Sequence, residues 1–84
     1  MTDHEFDVLD ELYFVTSFTQ LSEEVGLTED VLKETLQQLL DKGWVKCFLN
    51  ASEEAVESKI DFKKNYKDYF YLASKAGLLA HNGR

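Results

Sequence analysis

The sequence predicts a small α+β domain in which three helices precede a β-hairpin and a short C-terminal helix. Apolar residues recur every three or four positions up to about residue 42, a spacing typical of helices that bury one face. After Gly43 the spacing gives way to two runs rich in aromatic and β-compatible residues. The 84 residues include no proline, repeat or linker, so we expect one domain, residues 1–84.

Capping residues delimit the first two predicted helices. Helix 1 is expected at about Asp3–Phe14, because Thr2 and Glu5 have the spacing of a capping box. A second capping box at Ser17–Gln20 opens a short helix. Gly26 ends this helix, since glycine tolerates the left-handed backbone of a sharp turn.

Helix 3 is expected at about Glu29–Lys42. Thr28 can cap its first turn, and Gly43 provides its end. One apolar stripe runs along it and is too short for a coiled coil, so it predicts packing against helix 1; its members are Leu32, Leu36, Leu39 and Leu40.

The remaining segments predict a hairpin and a terminal helix. The strands are expected at Trp44–Leu49 and Tyr66–Leu72, in a sheet of two or three antiparallel strands. The polar stretch Asn50–Asn65 forms the tip, and Lys59–Lys63 could extend the second strand. A short helix is expected at Ser74–His81.

Residues 21–45 read LSEEVGLTEDVLKETLQQLLDKGWV. This stretch resembles the helix-turn-helix of bacterial winged-helix regulators of the broad MarR-like type. The matching positions are Leu21, Ser22, Val25, Gly26, Leu27, Thr28, Leu36, Leu39, Gly43, Trp44 and Val45. The resemblance implies a winged-helix fold, with the hairpin as the wing.

The resemblance also implies a transcription regulator that binds double-stranded DNA. Helix 3 would enter the major groove and the wing would contact the backbone. On helix 3, Thr28 and Lys33 would contact phosphates, and Gln37 would read an adenine edge. On the wing, basic and aromatic residues alternate in a manner that suits nucleic acid; the basic ones are Lys59, Lys63, Lys64 and Lys67.

The charge distribution supports a different hypothesis. The formal net charge is −7, and residues 1–57 hold 14 acidic and 3 basic residues, whereas residues 58–84 hold 2 and 6. Glu29, Asp30 and Glu34 oppose phosphate binding by helix 3. The alternative is therefore a protein-interaction module whose acidic helices face a basic partner. The wing lysines can equally be edge charges that prevent strand association.

Other functional classes have little support in the sequence. We expect no enzyme activity, cofactor or metal site, because nucleophiles, bases and ligands are not grouped, and Cys47 fits a buried structural sulfur. No apolar run is long enough to span a membrane, and an acidic N-terminus is unlike a signal peptide. A single cysteine fits a reducing cytoplasm. Abundant aromatic residues leave a homodimer open as a hypothesis.

Overall fold

The computed structural model describes residues 1–83 as an α+β structure, the class predicted from the sequence. Its helices are α1 (Asp3–Glu11), α2 (Phe18–Val25), α3 (Glu29–Asp41), α4 (Phe62–Asn65) and α5 (Lys75–Asn82), with a 3-10 turn at Glu57–Lys59. Its strands are β1 (Thr16–Ser17), β2 (Val45–Phe48) and β3 (Phe70–Ala73). They form one antiparallel sheet in the order β1-β3-β2. This arrangement is compatible with the predicted winged helix.

The first helices begin at the predicted capping residues. Thr2 Oγ1 accepts the N–H of Glu5 at 3.1 Å, and the Glu5 carboxylate accepts the N–H of Thr2 at 2.9 Å, so the capping box is complete. Ser17 Oγ accepts the N–H of Gln20 at 3.2 Å and starts α2. Gly26 ends α2 with a φ of 67°, in the left-handed region that favours glycine.

Helix α1 ends at Glu11, before the predicted end at Phe14. The Leu12 carbonyl oxygen accepts the N–H of Ala73 at 2.9 Å and thereby joins the sheet instead of continuing the helix. Thr16 Oγ1 donates to the Phe14 carbonyl oxygen at 2.8 Å and fixes the turn that follows. The predicted boundary was wrong because a long-range backbone partner ends the helix.

The core lies between the first three helices and the sheet. The α3 stripe is confirmed: Leu32, Leu36 and Leu39 are fully buried, while Leu40 is half-buried. They pack with residues of α1, α2, β2 and β3, among them Val8, Leu9, Leu12, Leu21, Val45, Cys47 and Tyr71. Burial of this apolar surface is the main term that stabilises the fold.

The segment between β2 and β3 departs from the prediction. The proposed strand extension at Lys59–Lys63 is wrong, because these residues lie in the 3-10 turn and the start of α4. β3 also begins at Phe70 rather than at Tyr66. The cause is Phe62, which is 6% exposed and packs its ring edge-on against Tyr71, with ring centroids 6.2 Å apart. The predicted hairpin tip is thus folded back onto the domain.

Most of the aromatic surface is absorbed by the domain itself. Phe18, Tyr69 and Tyr71 are buried, whereas Tyr13 and Phe14 are 43% and 81% exposed. Tyr13 bonds through its hydroxyl to His81 Nδ1 of α5 at 3.0 Å. The exposed aromatic residues are therefore confined to the end of α1.

Candidate functional site

The helix residues predicted to contact DNA lie on α3, and each has a partner within the chain. Thr28 Oγ1 accepts the N–H of Val31 at 3.3 Å and caps the helix. The Lys33 ammonium lies 4.7 Å from the centroid of the Tyr66 ring, a cation–π contact. Gln37 Nε2 donates to Asp41 Oδ1 at 2.9 Å. These side chains lie on α3 and at its N-cap, as predicted, and each makes a contact within the chain.

The four predicted wing lysines are divided between two environments. Lys59 ends the 3-10 turn, and Lys63 and Lys64 lie exposed on α4. Among the described side chains, these three make no ion pair. Lys67 differs, since its Nζ lies 3.0 Å from Glu29 Oε1 at the start of α3. One of the four wing lysines is thus paired with an acidic side chain, and three are not.

Glu29, Lys33, Tyr66 and Lys67 form a polar group at the start of α3, which we call the Glu29 cluster. The Tyr66 hydroxyl donates to Glu29 Oε2 at 2.5 Å. The hydrogen bonds from Tyr66 and Lys67 lower the pKa of Glu29, and the bond to Glu29 raises the pKa of Tyr66. The cluster joins α3 to the chain just after α4, and it gives Lys33 and Lys67 partners within the chain.

A groove runs along α3 on the side that faces residues 54–63; we call it the α3 groove. Its deep end has a volume of about 540 Å³ and lies beside the C-terminal half of α3, with walls that include Leu40, Asp41, Val45, Lys46, Glu54, Ala55, Ile60, Asp61 and Phe62. Its shallow end lies beside the first turns of α3, with Asp30, Lys33, Glu34 and Gln38. Gln37, Phe62 and Lys63 line both ends, so the two parts adjoin.

The α3 groove is acidic. Its walls hold five carboxylates and three lysines, which are Asp30, Glu34, Asp41, Glu54, Asp61, Lys33, Lys46 and Lys63. Lys46 is 3.5 Å from Glu54, Lys33 is held over Tyr66, and Lys63 makes no ion pair among the described side chains. Within residues 1–83, neither Asp30 nor Glu34 forms an ion pair. The groove therefore presents carboxylates that a cationic ligand could pair with.

Sequence analysis did not predict this groove, because it depends on the position of α4. Phe62 and Tyr66 have helical spacing, and Asp61 precedes them as a possible cap, so the local signal for α4 is short. Asp61 Oδ1 accepts the N–H of Lys64 at 3.3 Å and caps the short helix. The opposite wall of the groove is formed only when Phe62 enters the core.

Cys47 borders the deep end of the α3 groove, but its thiol is not prepared for chemistry. The residue is 2% exposed, and burial raises the pKa of the thiol to about 12. The reactive thiolate is therefore scarce at neutral pH. The structure confirms the interpretation of Cys47 as a buried structural sulfur.

No protein family, curated protein or solved structure matches the chain. Within residues 1–83, none of the helices combines the length and the apolar character that crossing a bilayer requires. The same residues contain no group of three or more histidine, cysteine, aspartate or glutamate side chains arranged to hold a metal ion.

Proposed function

We propose that the chain is a winged-helix domain that acts as a protein-interaction module and binds a basic partner through α3. Support for the fold comes from the order of the elements, with the Gly26 turn between α2 and α3 and with β3 between β1 and β2. This fold serves many functions, so the proposed binding rests on the surface of α3 rather than on the architecture.

The distribution of charged side chains on α3 is the observation that carries this proposal. Asp30 and Glu34 project from its first turns without an ion-pair partner among the described residues. The one lysine in this part of the helix, Lys33, is directed to Tyr66. Affinity for DNA arises mainly from lysines and arginines that neutralise phosphates. A helix with this charge repels a phosphate backbone and attracts the side chains of a basic protein segment.

A second candidate, DNA binding by the wing, is favoured by one observation. Lys59, Lys63 and Lys64 are exposed and make no ion pair within the described residues. In this alternative the wing lysines, rather than α3, contact the phosphates. The winged-helix regulators that the sequence resembles use helix 3 instead, so this mode would be a departure from them.

The test is a pair of fluorescence titrations at low salt, one with an oligolysine of about ten residues and one with duplex DNA of mixed sequence. We expect the oligolysine to bind and the duplex to show no salt-dependent binding. Glu34→Lys should weaken oligolysine binding by about tenfold, because it reverses one charge at the contact. Glu23→Lys on exposed α2 makes the same change in net charge away from the groove and should have a much smaller effect.

The wing alternative has its own signature in the same titrations. If the duplex binds and Lys63→Gln weakens it while Lys75→Gln on α5 does not, the proposed function is wrong and the wing binds DNA. An oligolysine affinity equally reduced by Glu34→Lys and Glu23→Lys would show a general charge effect, which also contradicts a site on α3.

A further inference from the structure

We infer that the α3 groove binds a short extended segment of the partner, with an apolar side chain in the deep end and alternate lysine or arginine side chains along α3. This inference rests on the proposed function and names the partner's chemistry. The segment is identified by three features of the groove, which are the apolar residues in its deep end, the spacing of its carboxylates and the direction of the β2 backbone.

The deep end provides an apolar anchor point. Its walls include the side chains of Leu40, Ile60 and Phe62, and it is of the size that holds a small organic molecule or one or two apolar side chains. Asp41 and Asp61 also line it. An apolar side chain with a basic neighbour fits this combination, because the apolar part leaves water while the cation meets a carboxylate.

The carboxylates of the shallow end match the repeat of an extended chain. Asp30 and Glu34 are four residues apart on α3, so their Cβ atoms lie roughly 5–6 Å apart. Alternate residues of an extended segment project to the same side at intervals of about 6.6 Å. Two basic residues in alternate positions can therefore each meet one carboxylate. The distance along α3 from Asp30 to Asp41 is about 16 Å, which five or six extended residues span.

The edge of the sheet favours an extended segment over a helical one. β2 is an edge strand, and the carbonyl oxygen of Trp44 accepts the N–H of Ser74 on the β3 side. By the alternation of an antiparallel ladder, the backbone groups of Val45 and Cys47 point to the opposite side. There the N–H of Ala55 donates to the Cys47 carbonyl oxygen at 2.9 Å. The chain's own residues 53–55 thus already pair with this side of β2 in extended form, so a partner segment could add to the pairing only at Val45, which borders the deep end of the groove.

The test uses synthetic hexapeptides and the complete chain, followed by amide chemical shifts. The first probe has arginine at positions 1 and 3, serine at positions 2 and 4, and leucine at positions 5 and 6. It is also made with the reverse sequence, because the groove does not fix the direction of the bound chain. We expect one direction to bind and to shift the amides of Glu34, Val45 and Ile60. A second probe has serine in place of the leucines, and a third has glutamate in place of the arginines.

The control probes and two variants of the chain separate the apolar contact from the charged one. We expect the leucine-to-serine probe to bind about tenfold more weakly, and the glutamate probe not to bind. Ile60→Ser should weaken the first probe by a similar factor, whereas Glu23→Gln should leave it unchanged. Because Ile60→Ser also alters the protein, the leucine-to-serine probe supplies the same test with the protein intact.

The outcomes separate this inference from the proposed function. If oligolysine binds on α3 but the first and second hexapeptides bind equally, or shift amides only outside the groove, the anchored segment is wrong and the proposed function stands. The same conclusion holds if oligolysine binds and neither direction of the first probe does. If no basic probe binds while duplex DNA does, both are overturned.

Discussion

Helix α3 is joined to the rest of the domain at each end by a glutamate–lysine pair, and the two pairs differ in burial. Beyond its C-terminal end, Lys42 Nζ lies 2.6 Å from Glu5 Oε2 of α1, and the Glu5 side chain is 1% exposed. At its start, Glu29 pairs with Lys67 at 3.0 Å, and these side chains are 46% and 58% exposed. The first pair is part of the packed structure, whereas water reaches both members of the second.

The buried pair is stable because hydrogen bonds replace the water that Glu5 loses. Burial alone would raise the pKa of Glu5, but the hydrogen bonds from Lys42 and Thr2 outweigh it, and the pKa is lowered. The Lys42 ammonium also lies 4.7 Å from the centroid of the Trp44 ring. One carboxylate thus connects the N-terminus of α1, the end of α3 and the start of β2.

The exposed pair lies beside the α3 groove and can exchange its partner. Surface ion pairs contribute little to stability, because water screens the charges and both side chains lose freedom. Under the proposed function, a basic partner segment would therefore compete with Lys67 for Glu29 at small cost. One end of α3 thus supports the fold, and the proposed function assigns the exchange of contacts to the other.

The largest effect is expected from Phe62→Ala, which tests what holds α4 in place. If burial of the ring does so, the free energy of unfolding should fall by about 3 kcal/mol. Urea unfolding of the variant gives this value. Phe14→Ala is the control, since Phe14 is 81% exposed and its loss should change the free energy by less than about 0.5 kcal/mol. A small change in the free energy of unfolding would indicate instead that the Glu29 cluster, and not the Phe62 ring, holds α4 in place.

The second effect is that of Glu5→Ala, which should lower the free energy of unfolding by about 2 kcal/mol. The value is below that of a fully buried pair because Lys42 is partly exposed and can regain water when Glu5 is removed. Asp7→Ala removes an exposed carboxylate from the same helix and is the matched control. Equal effects of the two substitutions in urea unfolding would remove the distinction between the buried and exposed pairs.

The buried pair also predicts a pH dependence. The folded chain holds the pKa of Glu5 below its ordinary value of 4.5, so the unfolded chain binds a proton at this site more readily. The stabilising contribution is complete above pH 4.5 and is lost as the pH falls through the folded-state pKa. The free energy of unfolding of the wild type, measured with urea, should therefore fall more steeply across this acidic range than that of Glu5→Gln. Parallel curves would contradict the assignment.

Local signals in the sequence predicted much of the fold but little of the candidate site. Thr2, Thr28 and Gly26 act within one turn of their own positions, so their roles could be inferred from spacing. The Glu5–Lys42 contact joins residues 37 positions apart, and the position of α4 depends on the contact of Phe62 with Tyr71. The DNA-contact prediction placed Lys33 on α3 correctly, but its engagement with Tyr66 depends on that same folded-back segment.

A smaller effect concerns Cys47, which reports on the opening of the groove. Its thiol borders the deep end but is 2% exposed, and burial raises its pKa to about 12. Alkylation by iodoacetamide at neutral pH should therefore be much slower than for a free cysteine. Phe62→Ala should accelerate it by opening the wall, and Phe14→Ala should not. Rapid alkylation of the wild type would show that the groove side of the domain opens readily.

The smallest effect on stability is expected from Glu29→Gln, and it distinguishes the exposed pair most directly. Because both members of the pair are exposed, the urea midpoint should remain that of the wild type. The Tyr66 hydroxyl should nevertheless respond, since the hydrogen bond to Glu29 is the main reason that its pKa is raised. An NMR titration of the Tyr66 ring should show its pKa lowered toward the ordinary value, while Glu34→Gln leaves it unchanged. A large loss of stability with no change at Tyr66 would mean that Glu29 supports the fold as Glu5 does, and that α3 has no exchangeable end.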